Sequence, residues 1–402
     1  MLKDLDQLMS ARGIGAVIVP MHEQQHASFR WLTRGAKVTR GYAIKLAGRE
    51  PILVSYPMER DEASATGLET RLAHDYAYDR LFREAKNSAA GYAHFYDAIL
   101  TDLGAGGSIA FFGNLPFQLY HGVAAELEAR GRSVYRSDGE DLIQLARKRK
   151  DAWEIDAIRS VGERTELVID RVREVLRAAT IDGDRVMHDG RALTLGDLKQ
   201  LVSFEIARHG MIEDHDTILS QGRDAGIPHS RGDASALVRP SVPIVLDIFP
   251  LDRNSGYFFD ETRTFCIGPI PDELRTIHGH VLEAFERARD AMRAGNPASL
   301  YQALVCDLFE HRGYETTRRT PATLSGYVHS LGHGVGLEIH EKPSFSLSPA
   351  NSDVIEAGDV LTIEPGLYFP DRAIGVRIEE TFVVRDDGTV ESLCRSSRAL
   401  EP

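Results

Sequence analysis

Four carboxylates and one imidazole between residues 247 and 379 constrain the fold more than any other feature. Each sits in a short, apolar, β-prone stretch: Asp247 in PIVLDIF, Asp260 in GYFFDETRTF, His333 in HSLGHGVG, Glu364 in VLTIEPGLY and Glu379 in GVRIEETFVV. Side chains alternate across a strand, so a charged residue in such a run points from a strand or strand end into an interior. Alone, any one of them reads as a salt-bridge member or a strand-edge charge. Together, four carboxylates converging in an apolar interior repel one another and cost roughly several kcal/mol each in desolvation. Two divalent cations would neutralise them.

The chain has 402 residues, 43% of them hydrophobic, enough to fill the cores of two domains. Its 60 acidic residues outweigh 47 basic ones for a net charge of −13, which argues against nucleic acid as a partner and favours solubility in the cytoplasm. Three cysteines, Cys266, Cys306 and Cys394, show no CxxC spacing, so neither a disulfide framework nor a thiolate zinc site is indicated. The N-terminal stretch lacks the apolar core of a secretory signal, and no apolar run is long enough to predict a membrane span.

In the first part, short apolar runs at Gly15 to Pro20, Tyr42 to Leu46, Ile52 to Tyr56 and Ile109 to Gly113 read as strands. Helical spacing over Asp75 to Ala98 and Gly122 to Arg130 makes this an α/β domain. A charged segment from Asp138 to Lys150 precedes a long amphipathic helix over about Asp151 to Ala179, with Ile155, Ile158, Val161, Leu167, Val168, Val172 and Leu176 on its apolar side. The expected division is residues 1–140 and 141–402. Helices follow at roughly Thr194 to His209, Asp272 to Ala294 and Ser299 to Arg312, with Gly295, Asn296 and Pro297 separating the last two.

Asp247 and Asp260 flank a turn containing Asp252, Arg253, Asn254, Ser255 and Gly256, a strong hairpin signal. His329 and His333 have the spacing of a zincin helix, but no HExxH is present and Gly332, Gly334 and Gly336 favour a loop. Those glycines let backbone come close to a ligand or metal. By strand alternation only one of Glu379 and Glu380 faces the cluster, Arg377 shares a face with Glu379, and Thr262 shares one with Asp260.

DETRTF, GHGVG, TIEPGLY and GVRIEE, in this order, resemble the metal-binding motifs of the prolidase, aminopeptidase P and methionine aminopeptidase family, the pita-bread metallopeptidases. The resemblance implies a creatinase-like α/β N-terminal domain, an α+β pita-bread catalytic domain and two metals held by Asp247, Asp260, His333, Glu364 and Glu379. It selects Glu379 over Glu380, makes Glu364 the proton acceptor, and has His229 and His340 stabilise the intermediate formed when a bridging hydroxide attacks the scissile carbonyl. Arg377 would orient Glu379 or hold a substrate carboxylate; His329 would contact substrate or serve as a hydrogen-bonded structural residue. The oxygen-rich set suits Mn²⁺ and also accepts Co²⁺, Zn²⁺ or Fe²⁺. The hairpin between Asp247 and Asp260 is longer than is usual in the family, and Asp224 stands where relatives often carry Asn. The expected activity is that of an Xaa-Pro dipeptidase, with Xaa-Pro aminopeptidase or a non-peptide small molecule (hydrolysed as ectoine is, or cleaved by sulfonium-lyase chemistry) as the alternatives. The expected partners are a proline-containing peptide and a second copy of the chain, and no nucleic acid or membrane.

Overall fold

The computed structural model describes residues 2–22, 26–136, 139 and 141–402. Asp138 and Glu140, part of the charged segment and of the expected boundary, lie outside the described residues. Two compact units emerge, Met1–Arg147 and Lys148–Pro402.

The first unit is built on a five-stranded sheet in the order Glu69–Leu72, Ile52–Ser55, Arg40–Leu46, Ile14–His22, Ser108–Phe111. The two inner pairings are antiparallel and the two outer ones parallel. Ile14–His22 is buried along nearly its whole length, which is why it reads as a continuous apolar run rather than an alternating one. Ile18, Tyr42, Ile44 and Val54 pack there with Phe95, Tyr96 and Ile99 of the helix Ser88–Asp102. The single helical stretch expected over Asp75 to Ala98 is broken. A helix over Tyr78–Glu84 ends, and Ser88–Asp102 restarts because the Asn87 side chain accepts a hydrogen bond from the Ala90 amide at 2.9 Å. That is an N-cap, and it sets a new helix axis.

In the second unit the long helix runs Ala152–Ala178, starting at Asp151 with a capping box to Glu154, as the spacing predicts. Leu167, expected on its apolar side, is instead 50% exposed, because it lies off the stripe that buries Ile158, Val161, Val168, Val172 and Leu176. Leu195–Arg208, Asp272–Ala291 and Ala298–His311 follow, the last beginning after Pro297. The last two helices contribute Ile277, Phe285, Val305 and Phe309 to a core completed by Leu361, Val376 and Phe382 from the strands. A three-stranded antiparallel sheet joins Ile218–Gln221, Ile244–Ile248 and Glu261–Phe265. A five-stranded sheet runs Glu341–Ser344, His333–Gly334, Val360–Ile363, Glu380–Val384, Val390–Ser392, and a hairpin pairs Gly366–Phe369 with Ile374–Arg377. The two sheets meet at an isolated bridge between Thr262 and Glu379. A small sheet over Thr180–Asp182, Arg185–His188 and Arg191–Ala192 carried no clear sequence signal.

The predicted hairpin forms, with Asp247 directly opposite Thr262. Its turn is closed by Asp252, whose Oδ2 accepts from the amides of Asn254 at 3.1 Å and Ser255 at 2.8 Å. The added length makes a two-residue strand, Leu251–Asp252, which pairs sideways with Met211–Ile212.

Candidate active site

Strand ends and one loop bring the predicted residues together. Asp247 comes from Ile244–Ile248, Asp260 precedes Glu261–Phe265, His333 opens a two-residue strand, Glu364 follows Val360–Ile363, and Glu379 precedes Glu380–Val384. Asp260 is held at its backbone by Thr381, whose hydroxyl donates to the Asp260 carbonyl at 2.8 Å. His333 Nε2 lies 3.5 Å from Asp260 Oδ2 and 3.6 Å from Glu364 Oε1. Ligand-type atoms of Asp260, His333 and Glu379 all fall within 4.8 Å of one another. Asp247 completes the ring electrostatically, its charge acting on Asp260, Glu364 and Glu379.

Glycines make the approach of the His333 loop possible, but toward protein. A Cβ on Gly332 would meet the Thr362 carbonyl oxygen at 2.2 Å, and one on Gly334 the Lys342 carbonyl oxygen at 2.0 Å. The close packing expected of GHGVG is therefore strand against strand, which fixes where the imidazole points.

The electrostatics are those of a cluster built around positive charge. Asp260 and Glu364 are pushed well above the ordinary carboxylate range, first by burial and next by Glu379; Glu379 is pushed up to about 8 by burial and then by Asp247. Buried oxygens of Asp247, Asp260 and Glu379 have no hydrogen-bond partner. His333 is held near 3 by burial and is neutral at physiological pH. Its Nδ1 faces the Gly334 carbonyl at 3.1 Å and carries the proton, so Nε2 turns its lone pair toward two carboxylates. Acceptors facing acceptors in a buried site lack a stabilising partner, and divalent cations supply one. The donor set, oxygen-rich with one imidazole, fits hard or borderline ions.

A second layer orients the first. Thr262 Oγ1 donates to Glu379 Oε2 at 2.6 Å and accepts from Arg377 Nε at 3.0 Å. Arg377 also donates to Asp247, to the Tyr368 hydroxyl at 2.9 Å and to the Pro228 carbonyl at 3.3 Å. Tyr368 in turn bonds His329 Nε2 at 2.9 Å, while His329 Nδ1 donates to the Ser330 carbonyl at 2.7 Å. Arg377 thus reaches Glu379 through Thr262, and His329 sits inside a hydrogen-bonded network 3.9 Å from Glu364. Sequence reasoning did not single out Tyr368. Its signal was Gly366, where a Cβ would strike the Tyr368 hydroxyl at 2.4 Å.

Glu380 points the other way, accepting from Arg263 at 3.0 Å, Arg398 at 2.6 Å and Ser392 at 2.7 Å. His340 and His229 are both exposed. The His340 ring lies 4.3 Å from that of His333, and His229 acts electrostatically on both His329 and His340.

An α/β unit followed by an α+β unit that gathers buried carboxylates and one histidine defines a two-domain fold class, creatinase-like in its first domain and pita-bread in its second. Residues 156–386 match the family described as metallopeptidase family M24, and the chain belongs to that family. It is 32% identical over 252 residues to an uncharacterized peptidase of Staphylococcus haemolyticus, covering 62% of this chain and 64% of that one. It is 35% identical over 185 residues to the Xaa-Pro dipeptidase of Pyrococcus furiosus, covering 46% of this chain and 49% of that one. The chain thus spans between about half and just under two thirds of the length of these relatives. Its fold is also that of the X-Pro aminopeptidase from Thermotoga maritima, with a TM-score of 0.76 at 24% identity over 98% of this chain and 99% of that one.

Proposed function

We propose that the protein is a dinuclear metal-dependent Xaa-Pro dipeptidase, hydrolysing the peptide bond on the amino side of proline. Family membership and the similarity to a protein named as an Xaa-Pro dipeptidase support this reading. The observation that carries it is the set of unpartnered buried oxygens on Asp247, Asp260 and Glu379 beside the lone pair of His333.

Asp247, Asp260, His333, Glu364 and Glu379 would hold two divalent ions, Mn²⁺ first among them. When bound, such a pair would lower the pKa of water toward neutrality and polarise the scissile carbonyl. Glu364, less buried than Asp260, accepts the proton of the attacking water and returns it to the leaving nitrogen. His340 and His229, on the exposed side of the cluster, donate to the oxygen that gains negative charge. Arg377 fixes Asp247 directly and Glu379 through Thr262, so both carboxylates are positioned before substrate arrives. His329, tied to Tyr368 and the Ser330 carbonyl, walls the site beside Glu364.

A panel of Xaa-Pro dipeptides beside Xaa-Pro-Xaa tripeptides, with Mn²⁺-loaded protein, tests the reading. Turnover of the dipeptides is the expected result. Cleavage confined to longer peptides would reassign the chain as an aminopeptidase, and cleavage of neither would move it to a non-peptide substrate.

A further inference from the structure

On the Glu380 side of the strand Glu380–Val384 a cleft of about 320 Å³ opens between the helix Asp272–Ala291 and the C-terminal segment 394–399. His278, Leu282 and Glu286 recur every four residues on one face of that helix and form one wall; Arg395, Arg398 and Ala399 line the other. Arg398 is rigid. It places two nitrogens on Glu380, at 2.6 and 2.8 Å, and its guanidinium carbon lies 4.7 Å from the Phe285 ring centre. The segment carrying Arg395 is pinned by Glu166, which accepts from the amides of Arg395 and Ser396.

The side chains of Arg395 and Glu286 are exposed and, among the described residues, neither forms an ion pair. Opposite charges therefore line one cleft without satisfying each other. His278 adds a polar atom: Nε2 donates to the Arg398 carbonyl at 2.9 Å, which leaves Nδ1 as an acceptor. Leu282 and Ala399 supply the apolar surface. An inorganic anion would be repelled by Glu286, and a cation by Arg395. A small molecule carrying both charges, on two groups bonded to one carbon, satisfies both walls.

We propose that this cleft binds a free α-amino acid as its zwitterion, the carboxylate on Arg395 beside Arg398, the ammonium at Glu286 and His278 Nδ1, and a small side chain against Leu282 and Ala399. The assignment stands apart from peptide hydrolysis; only its use, sensing a product that a peptidase releases, rests on the function proposed above.

Isothermal titration of L-alanine and L-proline into the full chain, beside N-acetyl-L-alanine and L-alaninamide, tests it without any turnover. Saturable binding is expected for the amino acids, weakened at least about tenfold by blocking either end of alanine and by Arg395→Glu or Glu286→Gln, each change removing a charged contact. Glu364→Ala and chelator-treated protein should bind within about twofold of wild type, because the cleft shares no residue with the carboxylate cluster. Absence of saturable binding overturns the proposal. So does binding that both charge variants leave intact, or binding that Glu364→Ala abolishes, which would locate the amino acid in the catalytic site. Circular dichroism confirms that each variant is folded.

Discussion

Glu364 and Glu379 are both buried glutamates, yet their surroundings set them different tasks. Glu379 is locked by Thr262, whereas among the described residues no side chain hydrogen-bonds the Glu364 carboxylate, with His333 at 3.6 Å and His329 at 3.9 Å, so it is free to exchange a proton. Glu364→Gln should lower kcat by about 10²–10⁴-fold, the range general base catalysis supplies, with an unchanged circular dichroism spectrum. Residual activity within threefold of wild type would assign the proton to another group. Glu379 also predicts a pH response of the cation-free protein. Its carboxyl is raised from 4.5 to about 8, by burial first, so between those values the folded state keeps a proton that the unfolded state has lost. Stability is therefore greatest at low pH as far as this group is concerned and falls as pH rises through 8. His329 and His333, both held near 3 by burial, are neutral in the folded chain and, above about 7.5, in the unfolded chain too, so they add nothing there. Urea midpoints in EDTA should fall between about pH 7.5 and 8.5, and saturating Mn²⁺ should flatten that slope, because the cation takes the place of the proton.

At the scale of elements, the loop bearing His340 is tied down by an ion pair with both side chains 1% exposed, Lys150 Nζ to Glu341 Oε2 at 2.8 Å. Lys150→Met removes the positive partner of the buried Glu341 carboxylate, which keeps the Glu338 amide, and should cost about 3–5 kcal/mol in denaturant unfolding; Lys150→Met with Glu341→Leu should recover most of that. A single variant within 1 kcal/mol of wild type would show that the pair does not anchor the loop. The strands and hairpin that converge on the cluster were legible in sequence because each couples an apolar β-prone run to a charged residue, a local pattern. Helix limits were legible where a cap was, as at Asp151, and not where a cap interrupts an unbroken helical pattern, as at Asn87. The bonds of Arg377 to Asp247 and Tyr368, and the role of Gly332 and Gly334 as seats for neighbouring strands, depend on contacts between segments distant in the chain. Strand alternation gave that Glu379 and Glu380 face opposite sides and the resemblance which of them faces the cluster, but neither gave that Arg263 and Arg398 would hold Glu380.

At the scale of the whole molecule, all five cluster residues and the side chains that orient them lie within Lys148–Pro402. Binding of cations there adds to folding stability by mass action, about 2.7 kcal/mol per site at a hundredfold excess over Kd. Thermal unfolding should shift upward with Mn²⁺ concentration, and Asp260→Asn should reverse the sign of one comparison. Stripped of cations, that variant should unfold at a higher temperature than wild type, because a carboxyl that must keep its proton in the folded state and gives it up on unfolding has gone; with saturating Mn²⁺ it should unfold at a lower one. The most direct test of the account is metal content by mass spectrometry after equilibrium dialysis against Mn²⁺. Wild type should retain about two ions per chain, the number needed to neutralise four clustered carboxylates, and Asp260→Ala fewer than one. A wild-type protein that retains none, or an Asp260→Ala variant that retains as many as wild type, would contradict it.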